Sequence, residues 1–155
     1  MIHDAQLLFS DAQAITGSAS VVSTNVLDLS IARDIGTGGD LYVVVTTDVA
    51  FTAGGITVDV VLQGGATAGA TTATQTLFRM PASTAAGTIF YARLDPAGMS
   101  SAQALPTTSP TSYRFLQITY TVTGGTLTTG TVTAFITSQV QQVPSYATGI
   151  IVAGN

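Results

Sequence analysis

The chain contains no glutamate and no lysine: its eight acidic residues are all Asp and its four basic residues are all Arg. Helical bundles take many of their solvent-facing residues from Glu, Lys, Gln and Arg, which are good helix formers. Only 8% of the residues are charged, against about a quarter in ordinary soluble domains. Thr, Ala, Gly and Ser instead make up 76 of the 155 residues. This composition excludes a helical bundle.

Apolar residues alternate with polar ones at a period of two, which is typical of half-buried strands. The clearest segments are 40–49, 56–63, 113–122 and 130–137. Weaker candidates at 5–10, 20–29, 73–79 and 88–94 bring the prediction to about eight strands. The residues predicted to lie on the shared faces of the four clear strands are Leu41, Val43, Val45, Thr47, Val49, Ile56, Val58, Val60, Leu62, Leu116, Ile118, Tyr120, Val122, Val132, Ala134 and Ile136.

Glycine pairs at 38–39, 54–55, 64–65 and 124–125 predict the turns between these strands, because glycine reaches positive φ at no steric cost. Short strands with such turns predict an all-β fold: a sandwich, a jelly roll or a barrel. The length predicts one domain over residues 1–155.

No catalytic, metal or cofactor site is predicted. His3 is the only histidine and no Ser lies in a Gly-x-Ser-x-Gly motif, so we expect His3 to be solvated or to contact a partner. Asp34 and Asp40 bracket a Gly-rich segment, but calcium takes several oxygen ligands and a turn is the better interpretation. The absence of cysteine excludes a disulfide scaffold and thiol chemistry. The Arg residues are expected to form ion pairs with Asp, or else to contact a partner.

Nucleic acid and membranes are not predicted partners. The net charge is −4 and there is no lysine, whereas phosphates attract basic patches. No stretch resembles the ~20 mostly apolar residues of a spanning helix. The opening residues include an acid where a secretory leader carries positive charge, so we expect synthesis in the cytoplasm.

Both ends of the sequence are unusually apolar. Residues 1–14 form a candidate N-terminal arm or strand, and residues 143–155 form a candidate tail that carries no charge. Termini are usually frayed unless something holds them. Two interpretations stay open: the ends pack on their own sheet, or they pair with a neighbouring subunit. The candidate partner-contact residues are Ile2, His3, Leu8, Phe9, Tyr146, Ile150 and Ile151.

Several stretches resemble a known family. They are residues 1–14 (MIHDAQLLFSDAQA), 31–45 (IARDIGTGGDLYVVV), 113–122 (YRFLQITYTV), 124–137 (GGTLTTGTVTAFIT) and 146–152 (YATGIIV). Taken in this order, they resemble the capsid cement, or decoration, proteins of short-tailed bacteriophages, of the type described for a Bordetella phage. The opening stretch is the most specific of them.

The resemblance implies a jelly-roll-like antiparallel β-sandwich with extended terminal arms and no catalytic residues. It implies a structural protein on the exterior of the virion, made in the cytoplasm of the host bacterium. Its partners would be the major capsid protein of an HK97-type shell, whose subunits it would bridge, and a second copy of itself in a homodimer, with a trimer as the alternative. The alternative functions are a carbohydrate- or surface-binding β module of a virion, and a tail or tube subunit.

Overall fold

A computed structural model describes residues 5–33, 41–52, 55–69, 73–81, 83–94, 113–138 and 140. Within these residues the chain forms a single 3-10 turn at Ala5–Leu7 and nine strands. The strands are β1 (Leu8–Ala14), β2 (Val21–Val22), β3 (Leu27–Arg33), β4 (Tyr42–Val49), β5 (Thr57–Gly65), β6 (Ala73–Pro81), β7 (Ile89–Arg93), β8 (Tyr113–Thr123) and β9 (Thr131–Thr137).

The strands form two antiparallel sheets. One has four strands in the order β1-β9-β4-β7, and the other has the order β2-β8-β5-β6, with β3 also pairing with β8. The first strand therefore pairs with the last, β2 and β3 pair with β8, β4 with β7, and β5 with β6. This nesting is that of one long hairpin wound over itself, which is a jelly roll. The predicted all-β sandwich is confirmed.

The core lies between the two sheets and follows the predicted alternation in three of the four clear strands. On β5, Val58, Val60 and Leu62 are each 0% exposed. The predicted inward residues of β8 and β9 belong to the same apolar cluster. Full burial of such a side chain contributes about 1.5–3 kcal/mol to folding, so this cluster supplies much of the driving force for sheet packing.

Some local predictions were wrong. Val49 is exposed because a register shift between Thr47 and Val49 takes it out of the alternation. The pair at 64–65 is not a turn: both glycines lie in β5, opposite Leu116 and Phe115, and the chain turns only afterwards, where Gly69 has a φ of 79°. The pair at 38–39 lies outside the described residues.

The strand predicted at 20–29 is two strands, β2 and β3, because a side chain interrupts the ladder at Ser23. Its hydroxyl accepts a hydrogen bond from the backbone N–H of Ile118 at 3.0 Å and donates one to the carbonyl of Asn25 at 2.9 Å. Side chains of this type compete with the backbone for ladder partners. The break at Ser23 lets Asn25 donate hydrogen bonds to the carbonyls of Leu8 and Phe9.

The N-terminal segment is a strand of the sheet over residues 8–14, at the edge beside β9. A bulge between Leu8 and Ser10 lets the consecutive residues Phe9 and Ser10 both face inward, each 0% exposed. Residues 1–4 and 141–155, which include the ends of the predicted arms, lie outside the described residues.

A buried hydrogen bond joins the two sheets at this edge. The Ser10 hydroxyl lies 2.9 Å from the hydroxyl of Tyr120, and it donates to Gln13 Oε1 at 2.7 Å. Since the Ser10 proton is used on Gln13, Tyr120 is the donor in the first bond. Gln13 in turn donates to the carbonyl of Val22 at 2.7 Å. This chain of hydrogen bonds ties β1 to β8 and β2.

We predict that Ser10→Ala destabilises the protein more than Tyr120→Phe. The first change leaves a buried phenol without its acceptor, which costs about 1–3 kcal/mol, whereas the second leaves Ser10 bonded to Gln13 and costs about 1 kcal/mol. Urea unfolding of the two variants and of the double variant measures this difference. Because Ser10 and Tyr120 share one hydrogen bond, the double variant is expected to lose less unfolding free energy than the sum of the losses in the two single variants. If the two single variants lost equal amounts of unfolding free energy and these losses added up in the double variant, the assignment of Tyr120 as the donor to Ser10 would be wrong.

Candidate interaction surfaces

One row of side chains crosses the outer face of the four-stranded sheet. Leu8 is opposite Phe135, Phe135 is opposite Val44, and Val44 is opposite Tyr91, so the row contains one residue from each strand. Successive side chains on a strand point to opposite faces. The neighbours of Val44 on β4 belong to the core, and the row therefore lies on the face turned away from it. We call these four residues the outer stripe.

Burial varies along the outer stripe. Val44 and Phe135 are 2% and 3% exposed, yet neither belongs to the core cluster between the sheets. Leu8 is half-buried, and Tyr91 at the other edge is 46% exposed. Tyr42 contacts Tyr91 edge to face, with ring centroids 6.2 Å apart. Antiparallel sheets that face solvent on one side usually carry polar residues on that side. At the outer stripe, in contrast, this sheet carries apolar residues on both faces.

Two of the seven predicted contact residues are described by the structure, and their positions differ. Leu8 lies in the outer stripe, where a partner could reach it. Phe9 is fully buried in the core of its own subunit, because the bulge beside it reverses the alternation, and its side chain is not available to a partner in this conformation. Ile2, His3, Tyr146, Ile150 and Ile151 lie outside the described residues.

The outer face of the five-stranded sheet is polar and low in charge. Along β8, Gln117, Thr119 and Thr121 lie opposite Gln63, Val61 and Asp59 of β5. Gln117 donates a hydrogen bond to the side-chain carbonyl of Gln63 at 2.8 Å. Val22, opposite Thr119 on the β2 side, is 48% exposed. These residues are more polar than those of the outer stripe.

The first of two ion pairs lies on this polar face. Arg79 on β6 is directly opposite Asp59 on β5. Its guanidinium donates two hydrogen bonds to the carboxylate, at 2.6 and 3.1 Å. These bonds from Arg79 lower the pKa of Asp59 below its ordinary value, against a smaller opposing effect of burial.

The second ion pair joins β3 to β8. Arg114 donates hydrogen bonds of 2.8 and 2.9 Å to the carboxylate of Asp28, and its guanidinium carbon lies 4.8 Å from the centre of the Phe115 ring. The bonds from Arg114 lower the pKa of Asp28. The predicted pairing of Arg with Asp is confirmed for Arg79 and Arg114. The described structure does not include the side chain of Arg33.

Across residues 5–33, 41–52 and the later described ranges, no three His, Cys, Asp or Glu side chains come together as a metal site. The candidate segment from Asp34 to Asp40 lies outside them. No helix in the described part of the chain has the length and apolarity to cross a bilayer.

Comparison with known proteins adds one finding. The family model described as Bbp16 matches residues 9–136, which spans both sheets from β1 to β9. The family is named for a Bordetella phage protein, so the match is consistent with a bacteriophage protein. A search of curated proteins found no match.

We predict that the two ion pairs stabilise the fold above about pH 4 and cease to do so in acid. Both carboxyls have folded-state pKa values lowered from 3.8, so the unfolded chain binds more protons as the pH falls. The stabilisation is complete at pH values above the pKa of these carboxyls in the unfolded chain. It is lost as the pH falls through their lower pKa values in the folded protein. The gap in melting temperature between the wild type and the double variant Asp28→Asn/Asp59→Asn should therefore be present at about pH 6 and close by about pH 2.5.

Asp11→Asn is the matched control, since Asp11 is an exposed carboxylate that belongs to neither ion pair. A gap for the double variant that stays constant over this pH range would show that the pairs do not stabilise the folded state.

Proposed function

The chain belongs to the Bbp16 family, and from this we propose that it is a capsid cement protein: a structural virion protein that binds the outside of a phage shell. In this role it would bridge neighbouring major capsid subunits of an HK97-type shell and act without catalysis or cofactor. The single observation that carries the proposal is the family match over residues 9–136, taken together with the resemblance of the opening and closing stretches.

The surface chemistry supports a contact role. Exposed large apolar side chains lie on strands of both sheets: Val22 on β2, and Val49 on β4 with Tyr91 on β7. A protein that bridges subunits needs contacts on more than one side, because it must hold the shell and its neighbours together.

The fold is compatible with this role and does not by itself imply it, since jelly rolls serve many functions. The described sheets have edge strands at their borders: β1 and β7 in one sheet, and β2, β3 and β6 in the other. Edge strands can pair with an added strand from a neighbour. Such an edge is a route to the proposed self-association, which we expect to give a homodimer, with a trimer as the alternative.

Two other functions make different predictions for the same assay. A carbohydrate- or surface-binding module of a virion would recognise a glycan and give no protection to the shell. A tail or tube subunit would assemble with itself and leave the shell unbound. Binding to the shell, followed by its stabilisation, therefore separates the three functions.

We predict that the purified protein co-sediments with expanded capsids prepared without it, and not with immature procapsids of the same phage. Binding should saturate and raise the melting temperature of the expanded shell, because a ligand that prefers the assembled state stabilises it by mass action. The procapsid is the matched control, since it contains the same subunits in another arrangement. Binding to neither form, or binding without any gain in shell stability, would refute the cement function.

A further inference from the structure

The edge strand β1 carries a bulge that is held by side chains of two other strands in its sheet. We propose that this bulge, fixed by hydrogen bonds from Ala12 to Thr133 and from Thr133 to Asp48, closes the edge of β1 to an added strand. The inference concerns the association of the isolated protein and does not depend on the proposed binding to capsids.

The bulge places two residues of β1 opposite one residue of β9. The register shifts by one residue between Ser10 and Gln13, so Asp11 and Ala12 together lie opposite Thr133. Ala12 has a φ of 44°, in the left-handed region that alanine rarely adopts. A residue keeps such a conformation only where the surrounding structure holds it there.

Two consecutive hydrogen bonds hold Ala12 in this conformation. Its N–H donates to Oγ1 of Thr133 at 3.1 Å, and the hydroxyl of Thr133 donates to Oδ2 of Asp48 at 2.7 Å. Because the hydroxyl proton is used on the carboxylate, the oxygen is left to accept from Ala12. Asp48 is the extra residue at the register shift between Thr47 and Val49 of β4. One buried hydroxyl therefore joins two bulges that lie on opposite sides of β9.

The bulge changes which backbone groups of β1 point outward. Ile15 donates its N–H to the carbonyl of Gly130, just before β9, at 2.9 Å. These directions alternate along a strand, so in a regular β1 the N–H groups of Ala14 and Ala12 would both point away from β9. The bulge turns the N–H of Ala12 onto Thr133. The edge thereby loses a donor that an added strand would need.

The first part of the β1 edge is occupied by another segment of the same chain. Asn25 donates hydrogen bonds to the carbonyl of Leu8 at 3.1 Å and to that of Phe9 at 2.9 Å. In contrast, Asp11 and Ala12 are exposed. The bulge therefore lies in the part of the edge that a neighbouring strand could reach.

The opposite edge of the same sheet is regular over its described residues. β7 pairs with β4 from Ile89, opposite Thr46, to Arg93, opposite Tyr42, without a register shift. A regular edge is a template for an added strand, whereas a bulge twists the edge away from one. Strand pairing between subunits is therefore directed away from β1.

Thr133→Val tests this arrangement, because valine keeps the branched shape of threonine and removes the hydroxyl. Thr133→Ser keeps the hydroxyl, and Thr131→Val makes the same change two residues earlier on the same face of β9. Adding Ala14→Pro to Thr133→Val removes the outward N–H that pairing at β1 would use. Circular dichroism establishes that each variant is folded. If Thr133→Val does not fold, Asp48→Ala removes the acceptor of the Thr133 hydroxyl and should likewise speed exchange of the Ala12 amide.

We expect the amide of Ala12 to exchange about tenfold faster or more in Thr133→Val than in the wild type at low protein concentration, because it loses its acceptor. As the concentration rises, the mass of Thr133→Val in sedimentation should increase to about twice that of the wild-type species, because one β1 edge pairs with another. Thr133→Ser and Thr131→Val should match the wild type in both measurements. Adding Ala14→Pro should restore the wild-type mass while exchange at Ala12 stays fast.

Three results would overturn the proposal. Exchange at Ala12 that is unchanged in Thr133→Val would mean that the hydroxyl does not hold the bulge. Faster exchange without any increase in mass would mean that the bulge does not close the edge. An increase in mass that Ala14→Pro does not reverse would assign the association to a surface other than the β1 edge.

Discussion

The pairing of the first strand with the last is the constraint on which the rest of the sandwich depends. β1 contributes Phe9 to the core, and Ser10 forms the buried hydrogen bond to Tyr120 across 110 residues of sequence. The carbonyls of β1 also hold Asn25 in the break between β2 and β3. If β1 left the sheet, the core would lose an aromatic ring and Tyr120 would lose its acceptor. The edge of the second sheet would loosen as well.

Alternation predicted the strands because it reports burial directly, and burial decides which residues a strand turns inward. The segments around Val60, Ile118 and Ala134 are strands with the expected inward faces. Composition also predicted the pairing of Arg with Asp, since in a charge-poor chain each guanidinium finds few other partners. The identities of those partners, such as Asp28 for Arg114, depend on strand register and could not be predicted from one sequence.

The remaining errors have a common cause: alternation describes a regular strand with one buried face. Val44 and Phe135 are buried on the face opposite the core. The alternation therefore predicted only one of the two buried faces of their sheet. Bulges add a residue and reverse the alternation, which is why Phe9 faces the core. At Ser23 the side-chain hydroxyl, in place of a backbone carbonyl, accepts the hydrogen bond from the N–H of Ile118. The outer stripe was missed because it combines residues from four strands, and only Leu8 among them was singled out.

The threonine-rich outer face of the five-stranded sheet has a consequence for the entropy of association. Immobilising a lysine or glutamate at a contact costs up to about 1.5–2 kcal/mol in lost rotamers, and this chain has neither residue. Thr74 and Thr76 on β6 lie opposite Gln63 and Val61 of this face and are exposed. They are β-branched and already stiff at χ1, so ordering them against another surface removes little freedom. A broad contact made by such residues begins with a small entropic cost, and even weak attraction per residue then suffices to hold it.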